Sequence, residues 1–308
     1  MPRVVVTAAS FCKNSLLRAE AVKAFAGHEV VFHPVDPASS PLDVASALNG
    51  FDAAIVGRET IGPEVLALSN PPAIIAKYGV GMDNIDPLVF DKLTILSAPG
   101  SNAFAVAEHT LGLILALMHN IAKCDRLLRG GTWWKDGGVA LAGKTVAVIG
   151  VGAVGSRVAR LLRAFDCEVI GVDIVDKGDF LGPLGASQQD LQSALKVADL
   201  VTLHVPLTKS TATMVKRGFL AAMKPGSWLV NTSRGEIVVE SDLLMALNSG
   251  HLAGAGLDVF QVEPVENKEL VGHAGVVSTP HIGGNSREAV LAMGRAAVFM
   301  LAKAIKNV

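Results

Sequence analysis

The amino-acid sequence predicts an α/β protein with two doubly wound parallel-sheet domains and a cleft between them. Short β-rich runs alternate with helical runs, a pattern typical of parallel sheets covered by helices. The alternation occurs in two series, one within the first 100 residues and one that begins near residue 144. At 308 residues, the chain is long enough for each domain to bury a core of its own.

The composition indicates a compact globular protein and argues against several kinds of partner. Apolar residues make up 50% of the chain and charged residues 18%, and the formal net charge is −1. We therefore expect neither a nucleic acid nor a membrane as partner. The three cysteines are scattered and form no CxxC pair, which predicts reduced thiols in the cytoplasm and no bound metal.

The first series predicts the strands and helices of an N-terminal domain. Its β-rich runs are VVVTA, EVVFHP, AAIVG and AIIAKYG, and its helical runs are LLRAEAVKAF and DVASALN. A long helical pattern over 104–130 then connects this series to the second one and ends at two glycines, a common helix stop.

The second series predicts another domain, followed by a terminal helix. Its runs are, in order, TVAVIG, SRVARLLRAF, EVIGVD, LQSALKVA, LVTLHVP, FLAAMK, SWLVNTS, LLMALNSG, AGAGLDVF and GVVSTP. The last segment is helical, with Ser286 as its N-cap and Glu288 in its first turn. We expect this helix to pack on the first domain, which gives a discontinuous domain of residues 1–100 and 286–308 and a second domain of residues 101–285.

A glycine-rich turn, GVGAVG, lies between an apolar strand and a helix at residues 150–155. Gly150 permits the tight turn, Gly152 lets a pyrophosphate approach the backbone, and Gly155 lets the helix pack closely on the strand. The helix N-terminus offers free N–H groups to the phosphates. Asp173 ends the next strand, where a carboxylate can accept hydrogen bonds from a ribose. The order of these features predicts a Rossmann-like domain that binds a dinucleotide.

The identity of the dinucleotide follows from the charge near Asp173. A carboxylate at this position repels the 2′-phosphate of NADP, so the sequence favours NAD, although Lys177 places one cation nearby. A nicotinamide cofactor implies hydride transfer. Hydride transfer to or from an alcohol carbon also needs a group that exchanges a proton.

Three loops after strand-like runs carry candidate catalytic side chains. VNTSRGE contains Arg234, GLDVFQVEP contains Glu263, and STPHIGG contains His281. For a 2-hydroxyacid, the arginine can hold the substrate carboxylate, the histidine can exchange the hydroxyl proton, and the glutamate can orient the imidazole. On spacing alone, a surface cation, an exposed acid and a locally satisfied turn histidine are equally good interpretations.

Taken together, the motifs resemble a known family. They are KYGVGMDNID, GVGAVG with Asp173, LHVPLTKST, NTSRGEIV, AGLDVFQVEP and STPHIGG, and they span residues 77–284. This set resembles the D-isomer-specific 2-hydroxyacid dehydrogenases, and its motifs are most similar to those of the phosphoglycerate dehydrogenases. The resemblance implies an NAD-dependent oxidoreductase in which Arg234 binds substrate, His281 is the acid/base and Glu263 is its partner. It also implies a homodimer formed through the 104–130 region and the tryptophans that follow it.

The resemblance further implies which residues contact the cofactor and the substrate. The cofactor set is Gly150, Gly152, Ala153, Val154, Gly155, Asp173, Val205, Pro206, Thr232, Asp258 and Gly283. The substrate set is Arg58, Lys77, Val80, Gly81, Asn102 and Arg234. In the family pattern, Asp258 contacts the nicotinamide carboxamide, and the N–H groups of Val80 and Gly81 bind the substrate carboxylate. Four positions depart from that pattern. Ala153 stands where many relatives have arginine or asparagine, and Lys77 stands where phosphoglycerate enzymes have arginine. Tyr78 replaces a small residue, and Val80 replaces a threonine.

The substrate follows less directly than the family. Arg58 and Lys77 mildly favour 3-phosphoglycerate, because a phosphate needs cations near the substrate loop. An equally good interpretation of Arg58 is that it caps a helix or pairs with Glu59 at the surface. The alternatives are glyoxylate, hydroxypyruvate or another anionic 2-hydroxyacid. Glu263 argues against formate oxidation, which needs no proton acceptor, whereas phosphite oxidation keeps the acid and stays open.

A different functional class also stays open. An NAD(H)-sensing binding protein built on the same scaffold can retain the arginine, glutamate and histidine. The end of the chain at Val308 predicts a short form, without the C-terminal regulatory domain of longer phosphoglycerate dehydrogenases.

Overall fold

The computed structural model describes residues 2–305, and the chain divides into two compact units. One unit runs up to Asn102 and resumes at Asn285, and the other runs from Ala103 to Gly284. Each unit is a parallel β-sheet with helices interleaved along the chain. This architecture confirms the predicted fold class of two parallel-sheet α/β domains.

The first unit follows the predicted alternation of strands and helices. Its elements are β1 (Arg3–Ala8), α1 (Ala9–Lys13), α2 (Ser15–Ala24), β2 (Glu29–Val35), α3 (Pro41–Leu48), β3 (Ala53–Val56), α4 (Pro63–Leu68), β4 (Ile74–Lys77) and β5 (Thr94–Leu96). Over the described residues, the sheet has five parallel strands in the order β2-β1-β3-β4-β5. The direction of the strand order reverses between β1 and β3, so the crevice of this sheet lies at the carboxyl ends of these two strands.

Local sequence explains how the elements of the first unit begin and where they pack. β3 is buried at every position, because its side chains AAIV face helices on both sides of the sheet. α3 begins with a capping box, in which the Ser40 hydroxyl accepts the Asp43 N–H at 3.2 Å while the Asp43 carboxylate accepts the Ser40 N–H at 3.3 Å. Pro41 occupies the first helical position, where no N–H is needed.

The second unit contains a larger sheet. Its elements are α5 (Ala103–Met118), α6 (Ile121–Arg129), β6 (Thr145–Ile149), α7 (Ala153–Ala164), β7 (Glu168–Val172), α8 (Gly178–Leu181), β8 (Ser187–Gln188), α9 (Leu191–Val197), β9 (Leu200–Leu203), α10 (Arg217–Ala222), β10 (Ser227–Asn231), α11 (Glu240–Asn248), β11 (Leu252–Leu257), α12 (Lys268–Gly272) and β12 (Val276–Ser278). Within the described chain, seven parallel strands lie in the order β12-β11-β10-β9-β6-β7-β8. The strand order reverses between β6 and β9, and the glycine-rich turn follows β6 at this point.

The helical connection before β6 is broken, whereas the sequence pattern predicts it as continuous. Asn120 adopts a left-handed conformation with φ of 55°, and α5 and α6 meet at an angle of 60°. Asparagine tolerates this conformation better than most residues, which explains the site of the break. In the part of the chain that the structure describes, no single helix is long and apolar enough to cross a membrane, and α5 with α6 meets that test only as a bent pair.

The terminal helix, α13 (Arg287–Ile305), belongs to the first unit. The Ser286 hydroxyl accepts the Ala289 N–H at 3.1 Å, as expected of an N-cap. The helix buries Met293, Ala297, Val298 and Leu301 in the same apolar cluster as Leu17 and the strands β1 and β3. The two ends of the chain therefore share one core.

Replacing Leu301 tests the contribution of α13 to this core. Leu301 is fully buried, so Leu301→Ala should lower the free energy of unfolding by about 2–5 kcal/mol. Phe299 lies on the same helix and is 70% exposed, so Phe299→Ala should change stability by no more than about 0.5 kcal/mol. Urea denaturation of the two variants measures the difference, and equal effects would contradict the packing described here.

Candidate active site

Three neighbouring strands of the second sheet lead into the predicted catalytic loops. Arg234 follows β10, Glu263 follows β11 and His281 follows β12. The three strands are adjacent and parallel, in the order β12-β11-β10. Their carboxyl ends therefore meet at one edge of the sheet, where the loops of doubly wound proteins form binding sites.

The turn that carries Arg234 is organised by a buried asparagine. Asn231 ends β10, and its Oδ1 accepts the N–H and the hydroxyl of Ser233 at 3.0 and 2.8 Å. Its Nδ2 donates to the Arg234 carbonyl at 2.9 Å, and the guanidinium donates to the Ser233 carbonyl at 2.7 Å. The sequence motif NTSRGE predicts the arginine but assigns no role to Asn231. Its burial shows only in the structure, where a fully buried asparagine needs hydrogen-bond partners.

Gly235 brings the arginine turn into contact with the segment that leads to Glu263. A Cβ at residue 235 would overlap the backbone carbonyl of Phe260, so no side chain fits there. The Phe260 N–H in turn donates to Glu263 Oε1 at 3.3 Å. The close approach of two backbones, and not a turn conformation, is what requires glycine at this position.

His281 and Glu263 form a direct pair. His281 Nδ1 lies 2.7 Å from Glu263 Oε2, and their side chains are 34% and 22% exposed. A carboxylate accepts hydrogen bonds, so the imidazole carries a proton on Nδ1, which leaves Nε2 to exchange a proton with a ligand. His281 has φ of 54°, a conformation uncommon for residues other than glycine.

Asp258 is buried beneath the histidine loop, with only 2% of its surface exposed. Burial alone would raise the pKa of its carboxyl, but hydrogen bonds from His109, Thr279 and the N–H groups of Ile282 and Gly283 hold that pKa below its ordinary value. The carboxylate is therefore ionised near neutral pH. The resemblance implied a contact between Asp258 and the nicotinamide, and the structure adds that this carboxylate binds the backbone of the 279–283 loop.

The glycine-rich turn after β6 has the geometry that its sequence predicts. Gly150 has φ of 91°, and a Cβ there would lie 2.6 Å from the His204 carbonyl oxygen. A Cβ at Gly155 would overlap the Gly150 carbonyl oxygen, because α7 packs against the end of β6. At Gly152, apart from the adjoining residues of the chain, no atom of the described residues lies within 4 Å of the Cβ position. The first and third glycines thus permit the fold, and the second leaves space for a ligand.

Asp173 follows β7, beside this turn. Its two carboxylate oxygens accept the N–H groups of Val151 at 2.8 Å and Val175 at 3.0 Å. The carboxylate is half-buried and retains lone pairs for a ribose hydroxyl. Its hydrogen bond to Val151 also ties the glycine-rich turn to the end of the neighbouring strand.

The remaining predicted cofactor residues lie in the second unit as well. Ala153 is exposed at the start of α7 and Val154 is half-buried, while Val205 and Pro206 follow β9. Thr232 is buried, and its hydroxyl lies 2.8 Å from that of Thr110 on α5.

His204 precedes Val205 and Pro206 in the LHVPLTKST motif, but the sequence predicts no role for it. Burial lowers the pKa of His204 to about 3, so its imidazole is neutral beside the dinucleotide turn near neutral pH. Thr202 Oγ1 lies 2.9 Å from His204 Nε2. The carbonyl of the same histidine restricts residue 150 to glycine, so it shapes the turn through its backbone as well.

The predicted substrate residues other than Arg234 lie in the first unit. Arg58 is exposed, Val80, Gly81 and Asn102 are half-buried, and Lys77 is 3% exposed. The Lys77 ammonium donates to the Gly57 carbonyl.

The N–H of Gly57 is bound by a buried acid. Glu59 is 1% exposed, and both of its carboxylate oxygens accept the Gly57 N–H, at 3.1 and 3.0 Å. It also accepts the hydroxyl of Thr7. Buried Lys77 and buried Glu59 therefore both form hydrogen bonds with the backbone of Gly57.

Comparison with known proteins identifies the family. Residues 111–283, more than half of the chain, match the family model described as D-isomer specific 2-hydroxyacid dehydrogenase, NAD binding domain. The chain belongs to the D-isomer specific 2-hydroxyacid dehydrogenases. This confirms the family predicted from the motifs, and NAD is the cofactor of its nucleotide-binding domain.

Individual members of the family show the range of similarity. A D-3-phosphoglycerate dehydrogenase of Bacillus subtilis is 35% identical over 257 residues, which are 81% of this chain and 48% of the Bacillus protein. A glyoxylate reductase of Pyrococcus furiosus is 37% identical over 246 residues, which are 76% and 73% of the two chains. The crystal structure of TT0316 protein from Thermus thermophilus has a TM-score of 0.86 at 31% identity and covers 99% of this chain and 97% of that one. The chain thus spans about half the length of the phosphoglycerate dehydrogenases that it matches first.

The residues around the turn fit the NAD of this dehydrogenase family. Space above Gly152, the N-terminus of α7 and the carboxylate of Asp173 would hold the pyrophosphate and the adenosine ribose. Over the described residues, no side chain caps the N-terminus of α7, which leaves its first N–H groups to a ligand.

Substituting alanine at Gly155 and at Gly152 should distinguish an effect on the stability of the fold from an effect on NAD binding. Gly155→Ala forces the turn and α7 apart, so it should lower the melting temperature markedly. Gly152→Ala meets open space, so it should keep the wild-type melting temperature and weaken NADH binding by about tenfold or more, because its methyl group occupies the pyrophosphate position. Thermal unfolding and titration of NADH fluorescence measure the two effects, and a Gly152→Ala protein with wild-type affinity would contradict the assignment.

Proposed function

We propose that this chain is an NAD-dependent D-2-hydroxyacid dehydrogenase. The observation that carries the proposal is the 2.7 Å hydrogen bond between His281 Nδ1 and Glu263 Oε2, with the Glu263 loop packed at Phe260 against the Arg234 turn. Bound NAD supplies the hydride acceptor or donor. Each of these three side chains then has a chemical role that matches its position.

The three residues bind the acid and move one proton. The Arg234 guanidinium binds the substrate carboxylate and polarises the keto oxygen. Glu263 keeps a proton on His281 Nδ1, so Nε2 accepts the hydroxyl proton during oxidation and returns it during reduction. We propose the first unit as the substrate domain, with Val80, Gly81 and Asn102 as contacts, and the second unit as the NAD domain.

The buried state of Lys77 bears on the choice of substrate. The sequence favoured 3-phosphoglycerate because Arg58 and Lys77 together could bind a phosphate. In the first unit, Lys77 is buried on the Gly57 carbonyl, and this same residue binds the Glu59 carboxylate. If the Lys77 ammonium moved away to bind a phosphate, the Gly57 carbonyl would lose its donor and the Glu59 carboxylate would lose a nearby cation, which costs free energy. We therefore place small unphosphorylated 2-keto acids, such as glyoxylate, hydroxypyruvate and pyruvate, ahead of the phosphorylated acid.

Consumption of NADH with a panel of keto acids tests both levels of the proposal. Glyoxylate, hydroxypyruvate or pyruvate should give a higher kcat/KM than phosphohydroxypyruvate. If the phosphorylated acid is preferred and Arg58→Gln raises KM for that acid alone, the phosphate pocket is real and our choice of substrate is wrong. Binding of NADH without turnover of any acid in the panel would instead support the NAD(H)-sensing class.

His281→Asn tests the assigned acid/base. The variant should bind NADH with wild-type affinity, because the loss is confined to the proton-exchanging ring. Its kcat should fall by about 100-fold or more, within the range for loss of a general acid. Stopped-flow or steady-state NADH absorbance gives the rate. Wild-type turnover in this variant would remove His281 from the mechanism.

We further propose a homodimer in the cytoplasm. Apolar side chains are exposed along α6 and after it, with Ile121 54%, Leu128 58% and Trp133 78% exposed. Such a surface is typical of an interface with another chain. All three cysteines, which lie within the described residues, are free thiols, as expected in a reducing compartment. In sedimentation equilibrium, Trp133→Ser should weaken self-association by about tenfold or more. A monomeric wild-type protein would contradict the dimer, and unchanged self-association of the variant would contradict this interface.

A further inference from the structure

The loop that carries His281 is held by three consecutive N–H groups bound to one aspartate. The His281 N–H donates to the Asp258 carbonyl at 2.7 Å, the Ile282 N–H to Oδ1 at 2.9 Å, and the Gly283 N–H to Oδ2 at 2.8 Å. These bonds hold His281 in its left-handed conformation, which a histidine would otherwise adopt rarely. The position of the imidazole thus depends on where the Asp258 carboxylate lies.

That carboxylate is itself held by a threonine hydroxyl. Thr279 Oγ1 lies 2.6 Å from Asp258 Oδ1 and 2.9 Å from His109 Nε2. A hydroxyl has one hydrogen and an ionised carboxylate can only accept, so Thr279 donates to Asp258. The threonine oxygen must therefore accept the N–H of His109 Nε2. This assignment gives a directed chain from His109 through Thr279 to Asp258.

The chain connects two distant parts of the sequence. His109 belongs to α5 and lies 170 residues before Thr279. Its Nε2 is also 3.4 Å from Asp258 Oδ1, so the ring faces the carboxylate as well as the hydroxyl. α5 is a long helix with most of one face buried, and it provides a fixed support for the ring.

We propose that His109 and Thr279 are positioning residues for the acid/base His281. They fix the Asp258 carboxylate, which fixes the loop, and the loop presents the imidazole to Glu263. The proposal rests on the proposed function, in which His281 exchanges the substrate proton. Neither residue needs to touch the reacting atoms. Without the Thr279 hydroxyl, the buried Asp258 carboxylate loses one hydrogen-bond donor and rotates toward another. A resulting displacement of about 1 Å at the loop is enough to reduce turnover about 100-fold.

A matched pair of substitutions at residue 279 tests this role. Thr279→Val preserves the shape but removes the hydroxyl, and Thr279→Ser preserves the hydroxyl but removes the methyl group. We expect kcat to fall by about 10- to 100-fold in Thr279→Val and to stay within about threefold of the wild type in Thr279→Ser. KM for the keto acid should change little in either variant, and Thr279→Ser should also keep the wild-type Kd for NADH and melting temperature. Thr94→Val, at an exposed position on β5, is the control for the substitution itself.

A spectroscopic measurement tests the positioning without relying on activity. In NMR spectra of protein labelled with ¹⁵N-histidine, the Nδ1–H of His281 should give a signal, because its hydrogen bond to Glu263 slows exchange with water. The loss of this signal in His281→Asn assigns it to His281. The signal should persist in Thr279→Ser and should broaden or disappear in Thr279→Val. If no keto acid is reduced by the wild type, the proposed function fails, and this signal alone decides the positioning role.

The results that would overturn the inference are specific. Wild-type kcat in Thr279→Val with an unchanged His281 signal would show that the hydroxyl is not needed. Equal losses in the valine and serine variants would show that keeping the hydroxyl does not preserve turnover, which also contradicts the inference. If Thr279→Val does not fold, the pair His109→Leu and His109→Gln decides instead. Only the glutamine retains an N–H donor, so kcat should fall in the leucine variant and recover at least partly in the glutamine variant.

Discussion

The buried carboxylate of Asp258 is the interaction on which the histidine loop depends. A charge in so enclosed a place is stable only when donors surround it. Here the donors come from the loop itself, from a threonine and from a helix that lies far away in the sequence. The hydrogen bonds to the Asp258 carboxylate therefore determine the backbone conformation of His281. Glu263 follows the same strand as Asp258 and fixes the orientation of the imidazole ring.

Periodicity and glycine spacing predicted the main strands, the dinucleotide turn and the three loops that carry Arg234, Glu263 and His281. These features are local, because alternating burial and close backbone packing leave a direct trace in the sequence. The short elements β5, α8 and β8 were missed, since two to four residues are too few to show a period. The break at Asn120 was missed because the helical pattern continues on both sides of it.

Contacts between distant segments could not be read from the sequence. Thr110 looks ordinary until the fold buries it beside Thr232, which lies 122 residues later in the chain. Lys77 is a similar case, since a lysine at the end of a strand is usually solvated. Its burial follows from the position of Gly57, whose carbonyl it binds and whose N–H binds Glu59. Family resemblance pointed to Lys77 as a cation, but its electrostatic surroundings depend on this particular chain.

The shared core of the first unit also bears on how the chain acquires its structure during synthesis. The second unit is one continuous stretch, so its core is complete once residue 284 has left the ribosome. The core of the first unit includes side chains from α13, which are made after the strands of both sheets. Although its strands emerge first, we expect this unit to be the later one to reach its final packing. Until then, β1, β3 and β4 expose an apolar face that α13 later covers, and chaperones would bind the nascent chain there.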